Sequence, residues 1–319
     1  MKSSRCHIPI AACVILVIGC IVAPSHSATV RDASGRDVVI SDASRVVSIG
    51  GAVTEILYAL GQDKRVIAVD TTSLYPPDAL RTKPNVGYFR QLSPEGVIGL
   101  APSLILAADG AGPKEAVSVL EAATIPFVRI PDRYDGDGIL EKIKIIATAT
   151  GTERQGACLE RVVSGDLEVL SALRSQIKTP TRAMFILSFM NGKAMVAGRG
   201  TAADGIMRMA GATNVFGEFE GYKIVNDEAV LAAAPEAVLA MQRSGLDLDA
   251  ASVFSHAAFR ETPAARNQRF FSMDGLYMLG FGPRTARAAR DLGRLLYPDM
   301  KAAALPSDTA ERGDQACAQ

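Results

Sequence analysis

One pattern occurs twice in this 319-residue chain, and the repetition narrows the folds open to it. Ser93-Pro94-Glu95 opens a short helical segment that Ala101-Pro102 stops, and Leu104-Ile105-Leu106-Ala107-Ala108 follows as an apolar run of buried-strand type. Asn226-Asp227-Glu228 opens a second such segment, stopped by Ala234-Pro235 and followed by Val238-Leu239-Ala240. Glu95 matches Glu228, Val97 matches Val230, Pro102 matches Pro235 and Ile105 matches Val238, all at one constant offset. Ser93 and Asn226 are N-cap residue types, Pro94 suits a first helical position, and an acid in the first turn favours a helix N-terminus. Strands apolar on both faces belong to sheets covered on both sides. A second correspondence links Val46-Val47-Ser48-Ile49, which leads through Gly50-Gly51 into a helix ending at Gly61, with Ala194-Met195-Val196, which leads through Gly198 and Gly200 into one ending at Gly211. The expected fold class is α/β: two related lobes with central, mostly parallel sheets.

The chain divides accordingly. Residues 28–136 read as an N-terminal lobe, 137–180 as a helical connector, 181–300 as a C-terminal lobe and 301–319 as a disordered tail. A hairpin opens the first lobe, with Thr29-Val30-Arg31 and Val38-Val39-Ile40 on either side of Ser34-Gly35. The connector carries apolar stripes at helical spacing, Ile139, Leu140, Ile143 and Ile146, then Leu159, Val162, Val163, Leu167 and Leu170, broken only near Thr150-Gly151. Such a bridge restricts the lobes to modest rocking. Met273 to Arg284 reads as a loop-rich apolar run feeding a closing helix from Thr285 to Leu296.

Residues 1–27 have the form of a signal peptide: Lys2 and Arg5, an apolar core from Ile8 to Val22, and small residues around Ser27. The periplasm is the expected destination, with lipidation at Cys20 as the alternative. Cys158 and Cys317 then remain, either bridged or as two free thiols. His256 is the one histidine left, which argues against an exported carrier of bare zinc or manganese. It reads as a surface or half-buried structural residue. Lysine plus arginine equals aspartate plus glutamate at 34 each, so nothing favours nucleic acid as a partner.

The stretch from Val86 to Pro113 is the candidate binding segment. Tyr88 and Arg90 lie two residues apart, and in an extended backbone both side chains would point to one side. Asp109-Gly110-Ala111-Gly112-Pro113 follows the carboxyl end of a strand, where ligands of open α/β sheets sit. The glycines would let backbone approach a flat ligand, or simply make tight turns.

The segments RVVSIGGAVTEILYALG, GYFRQLSPEGVIGLAPSLILAADGAGP, MVAGRGTAADGIMRMAGATN, MQRSG and GFGPRTARAARDL, in this order, resemble the periplasmic haem-binding proteins of bacterial haem-uptake ABC transporters. The likeness runs from Arg45 to Tyr297 and implies a class III periplasmic binding protein, whose lobes are joined by a long bridging helix. It implies Tyr88 as the ligand of haem iron, and a phenolate oxygen is a hard donor suited to ferric iron. Arg90 would lower the phenol's pKa or pair with a propionate, and Arg243 would reach the haem from the opposite lobe. Gly110, Ala111, Gly112, Phe189, Met190, Met195, Met278 and Phe281 would line the porphyrin, although core packing explains the apolar ones equally well. Some relatives stack a second haem with a histidine near the segment occupied here by Phe189-Met190-Asn191; its absence there suggests one haem b, carried as cargo, with Met190, water or Arg243 as a sixth partner. Glu95 and Glu228 would dock a monomeric carrier on an inner-membrane permease dimer, with an outer-membrane haem receptor upstream, or would simply favour their own helix N-termini.

Two rivals remain. Gly198-Arg199-Gly200-Thr201-Ala202-Ala203 fits a GxGxxA dinucleotide fingerprint, which alone is a weak signal for an oxidoreductase. A carrier of a corrinoid or ferric siderophore shares the same frame. Hydrolase chemistry lacks a GxSxG elbow.

Overall fold

A computed structural model describes residues 27–242, 248–301, 303–309 and 317. The leader with Cys20, and Arg243 with its expected reach toward the ligand, lie outside the described residues.

The N-terminal lobe comprises β1 (Ala28–Arg31), β2 (Asp37–Ile40), β3 (Val46–Ile49), α1 (Gly51–Ala59), β4 (Val66–Val69), α2 (Pro77–Thr82), α3 (Pro94–Ile98), β5 (Leu104–Ala108), α4 (Lys114–Ala122) and β6 (Phe127–Ile130). The hairpin β1–β2 is separate, and the main sheet has the order β4-β3-β5-β6 with every pairing parallel. β3 is buried at every position, as an unbroken apolar run requires. The turn into α1 needs glycine: Gly50 has φ 116°, and a Cβ there would stand 2.9 Å from that of Ala108. Its N–H donates to the buried Asp70 carboxylate at 2.8 Å.

The connector is α5 (Gly136–Thr150) and α6 (Glu153–Arg174). Asp135 caps α5 by accepting from the Gly138 N–H at 2.7 Å, and Gly151 at φ 65° ends it in the left-handed conformation. The C-terminal lobe follows with β7 (Arg182–Met190), β8 (Lys193–Ala197), α7 (Ala202–Met209), β9 (Thr213–Asn214), β10 (Tyr222–Val225), α8 (Asp227–Ala233), β11 (Ala237–Gln242), α9 (Ala250–Phe254), α10 (Ala257–Arg260), α11 (Pro263–Arg266), β12 (Phe270–Asp274), α12 (Gly275–Leu279), α13 (Thr285–Leu296) and α14 (Pro306–Thr309). Its sheet runs β10-β8-β7-β11-β12, with β9 alongside the start of β7. α5 packs on α1 and β1, whereas α6 packs on α7 and α13, so the two connector helices tie one lobe to the other.

The repeat is present in three dimensions. Ser93 accepts from the Gly96 N–H (3.3 Å) and Asn226 from the Ala229 N–H (2.9 Å). Ala101 and Ala234 close their helices with φ 48° and 40°, and β5 and β11 each sit between two parallel neighbours. The second correspondence needs correcting. β7, not β8, occupies the place of β3, because β9 and β11 flank β7 in parallel as β4 and β5 flank β3. β8 is an insertion that turns back through Asn191 (φ 53°) and Gly192 (φ 73°), the Asn-Gly chemistry of a two-residue hairpin.

Two other expectations change. The run from Met273 is not mostly loop: β12 continues to Asp274, which accepts from the Tyr277 N–H at 2.7 Å and starts α12. The described part of the tail is anchored. Leu305 is buried, the Ser307 N–H donates to Asp166 at 3.0 Å, Asp308 pairs with Arg290, and a Cys158–Cys317 disulfide joins the tail to α6. The cross-link and the buried leucine outweigh the tail's polar composition.

One apolar core spans the molecule, with Val53 and Ile56 of the first lobe, Ile139 and Ile143 of the connector, and Ile206, Phe281 and Leu292 of the second. One shielded ion pair crosses the same junction and a second ties α5 to the loop before it. Arg284 reaches Glu55 at 3.0 Å while lying 3.4 Å over the Tyr75 ring, and Lys142 meets Asp132 at 2.7 Å.

Candidate functional site

The loop that carries Tyr88 is held by main-chain bonds before any ligand is considered. Val86 N–H donates to the Val69 carbonyl and Thr71 N–H to that of Gly87, each at 2.9 Å, which fastens the loop to the end of β4. Beyond it, the Gly112 N–H donates to the Phe89 carbonyl and the Leu92 N–H to that of Gly112, both at 2.9 Å. The segment is therefore strapped to the loop after β5, and Gly110 and Ala111 lie within that strap. A Cβ on Gly110 would sit 3.6 Å from the Phe89 ring, an ordinary contact, so the glycine is not required by crowding there.

The extended geometry expected for Tyr88 and Arg90 is not found. Gln91 N–H donates to the Tyr88 carbonyl at 2.7 Å, so Phe89 and Arg90 occupy a turn. Both side chains nevertheless gather on Phe89: the Tyr88 ring meets it edge-on at 5.2 Å, and the Arg90 guanidinium lies 4.8 Å from its centroid. Tyr88 remains 39% exposed, with its phenol available to a ligand.

The second lobe contributes through its inserted strands. Met190, at the hairpin tip, is 69% exposed, whereas Met195 is half-buried opposite Ile224 of β10. Phe189 is half-buried against Phe259 and His256, each ring centroid 5.6 Å away. His256 thus lies beside the Phe189 segment in space though not in sequence, and half-buried as expected; its Nε2 is 3.9 Å from Asp227. Phe281 and Met278 do not belong to the wall. Both are buried, and Phe281 supports the Tyr134 ring edge-on at 5.2 Å.

Tyr134 and Tyr222 were not among the sequence candidates. Tyr134 sits on the loop between β6 and α5, with its carbonyl accepting from Arg208 at 3.0 Å, and Tyr222 opens β10 opposite Ala197. Burial raises the pKa of both phenols, joined at Tyr134 by the charge of Asp132; Arg90 opposes the shift in each. The sequence signal available was a tyrosine after Gly221 in a short β-type run.

Gly198 to Thr201 does not form a dinucleotide site. The segment leaves an antiparallel strand, Thr201 caps α7 by accepting from the Asp204 N–H (3.1 Å), and a Cβ on Gly198 would stand 2.2 Å from the Phe219 carbonyl oxygen. Gly198 serves a close backbone crossing and Gly200 a turn at φ 73°, not a βαβ phosphate loop.

Glu95 and Glu228 are exposed in the first turns of α3 and α8, equivalent places in the two lobes.

Two α/β lobes tied by helices define a binding protein of the two-lobe type. Residues 46–276 match the family model described as periplasmic binding protein, and the chain belongs to that family. Among solved structures it is similar to the periplasmic heme-binding protein BhuT in complex with two hemes, at 36% identity and TM-score 0.75, covering 81% of this chain and 99% of that one. Among curated proteins it is similar to the uncharacterized ABC transporter substrate-binding lipoprotein YvrC of Bacillus subtilis, 26% identical over 85% of this chain and 86% of that protein. It is also similar to the vitamin B12-binding protein of Pectobacterium atrosepticum, 27% identical over 61% of this chain and 70% of that protein. The chain is a substrate-binding protein of ABC-transporter type and not an enzyme.

Proposed function

We propose that this protein binds ferric haem between its lobes and delivers it to an inner-membrane ABC permease. The observation that carries the reading is Tyr88: a phenol exposed at the end of a strapped loop, seated on Phe89 beside Arg90. A phenolate oxygen is a suitable axial donor for ferric iron, and the 36% identity to a heme-binding protein supports haem as cargo. Gly110, Ala111 and Gly112 back this loop, Met190 and Phe189 offer apolar contact from the other lobe, and Arg243, outside the described residues, is proposed as a further haem-binding residue. Glu95 and Glu228 present matched carboxylates to a two-fold permease surface. The leader at residues 1–27 exports the chain to the periplasm.

Hemin titration followed by visible absorption tests the cargo. The expected outcome is a saturable band of tyrosinate-bound ferric haem. Tyr88→Phe should abolish that signature and weaken binding at least about tenfold, roughly 1.4 kcal/mol. An unchanged spectrum would remove Tyr88 as the iron ligand. The vitamin B12-binding relatives favour a second reading, a corrinoid carrier. Cyanocobalamin displacing hemin at equal concentration would support it.

A further inference from the structure

Asp70 directly follows β4 and is fully buried, yet nothing in the binding site as described makes use of its carboxylate. Its Oδ1 accepts from the Gly50 N–H at 2.8 Å and from the Ser73 hydroxyl at 3.0 Å. Its Oδ2 accepts from the Thr72 N–H at 2.9 Å and from the Thr72 hydroxyl at 2.7 Å. Glu55 and Asp32 are also buried, but each meets an arginine, at 3.0 and 2.7 Å. The four donors to Asp70 are all uncharged. A carboxylate taken out of water costs stability unless hydrogen bonds replace the water it loses, and here both oxygens are supplied by directed donors.

What this carboxylate fixes is the turn against which the Tyr88 loop is built. The bond from the Thr72 N–H closes an Asx turn over residues 70–72, and that turn sets the peptide between Asp70 and Thr71. The N–H of the same peptide, that of Thr71, donates to the Gly87 carbonyl at 2.9 Å. Gly87 has φ 92° with open space where a Cβ would stand, so crowding does not impose its conformation. Bonds at its own peptide groups hold it: its N–H donates to Asn85 Oδ1 at 2.8 Å, and its carbonyl accepts from Thr71. The Gly87 carbonyl belongs to the peptide that leads into Tyr88. Asp70 is therefore one turn and one hydrogen bond away from the backbone that directs the phenol.

We infer that Asp70 is a positioning residue for Tyr88: its carboxylate orients the Thr71 amide, which holds the peptide entering Tyr88 and so aims the phenol oxygen at the iron of the cargo. The inference rests on the haem reading and adds to it a buried control on whether that oxygen meets the metal. Asparagine at position 70 keeps the shape of the side chain but replaces one acceptor oxygen with a donor. That donor would face N–H and O–H groups already pointing at it, so either the Asx turn or the bond to Gly50 must give way.

The test follows hemin complexes by visible absorption and resonance Raman on the wild-type protein, Asp70→Asn, Thr72→Val and Ser48→Ala. Ser48 is buried in the same hydroxyl chain but reaches Asp70 through Thr54 and Ser73, with 2.7 Å from Ser48 to Thr54 and from Thr54 to Ser73. Asp70→Asn should lose about half or more of the iron–tyrosinate signal and bind hemin at least about fivefold more weakly. Thr72→Val, which withdraws one of the donors and keeps the carboxylate, should show the same change in smaller measure, and it decides the matter if Asp70→Asn does not fold. Ser48→Ala should melt earlier than wild type yet keep the wild-type spectrum and affinity. A folded Asp70→Asn with the wild-type signal, an unchanged Thr72→Val, or a Ser48→Ala that loses the signal to the same extent would overturn the role of Asp70 while leaving Tyr88 and haem in place. A wild-type complex without a tyrosinate signal would overturn the Tyr88 reading, and the role of Asp70 with it.

Discussion

The two lobes share a frame and differ in how they present chemistry. In the first, β4-β3-β5-β6 stands alone and the candidate residues come from loops at strand ends, fastened by backbone bonds such as that of Gly112 to Phe89. In the second, β9-β7-β11-β12 repeats that arrangement, but β8 and β10 are added, and Met190, Met195 and Tyr222 come from these additions and their hairpin tip. A repeated frame can therefore fix the geometry of a cleft while leaving each wall to separate devices. The first lobe uses a rigid loop suited to one directed donor. The second presents exposed apolar side chains, Met190 and Ile224, from its added strands.

The comparison can be broken by experiment. The largest effect is expected where the halves depend on each other. Glu55→Ala removes the shielded carboxylate that meets Arg284 across the lobes, and equilibrium denaturation should show a loss of about 3–5 kcal/mol. A variant that unfolds like the wild type would mean that the pair does not couple the lobes. Next come Gly51, the first residue of α1, and Gly198, in the turn that leads into α7. On Gly51 a Cβ would stand 2.4 Å from the Thr72 carbonyl oxygen and 2.5 Å from Leu276 of the other lobe, whereas on Gly198 it would meet only its own lobe, through Phe219. Gly51→Ala and Gly198→Ala should each cost about 1–3 kcal/mol, and the Gly51 change alone should alter the lobe junction, readable by hydrogen exchange at Leu276. Smaller still is the contrast between walls. Met190→Ala should weaken hemin binding only about two- to threefold, because that side chain is mostly solvated, while Tyr88→Phe changes the spectrum itself. Last, Glu95→Ala and Glu228→Ala should each shift stability by about 0.3–1 kcal/mol, leave hemin affinity intact, and slow permease-dependent uptake to a similar extent. Unequal slowing would show that the matched carboxylates do not act as a symmetric pair.

Much of the frame was legible because it is local. Ser93 and Asn226 are caps that hydrogen-bond three residues ahead, and the closing helix from Thr285 to Leu296 follows its periodicity. Errors arose where short segments owe their state to distant partners. β10 is four residues long and exists by pairing with β8, and the turn at Phe89 is held by a loop beyond α3 and β5. The same reason explains the site. Tyr88 and Arg90 carry a motif, but Tyr134 acquires its setting only when folding brings it to Phe281, and His256 comes to Phe189 across dozens of intervening residues.

The Cys158–Cys317 link has a practical consequence. It ties Cys317 to the connector helix α6, so preparations made in a reducing cytosol and in an oxidising compartment are different molecules. Material from the first should melt earlier and lose its C-terminal peptide to protease sooner, and an affinity tag fused at that end would pull directly on α6.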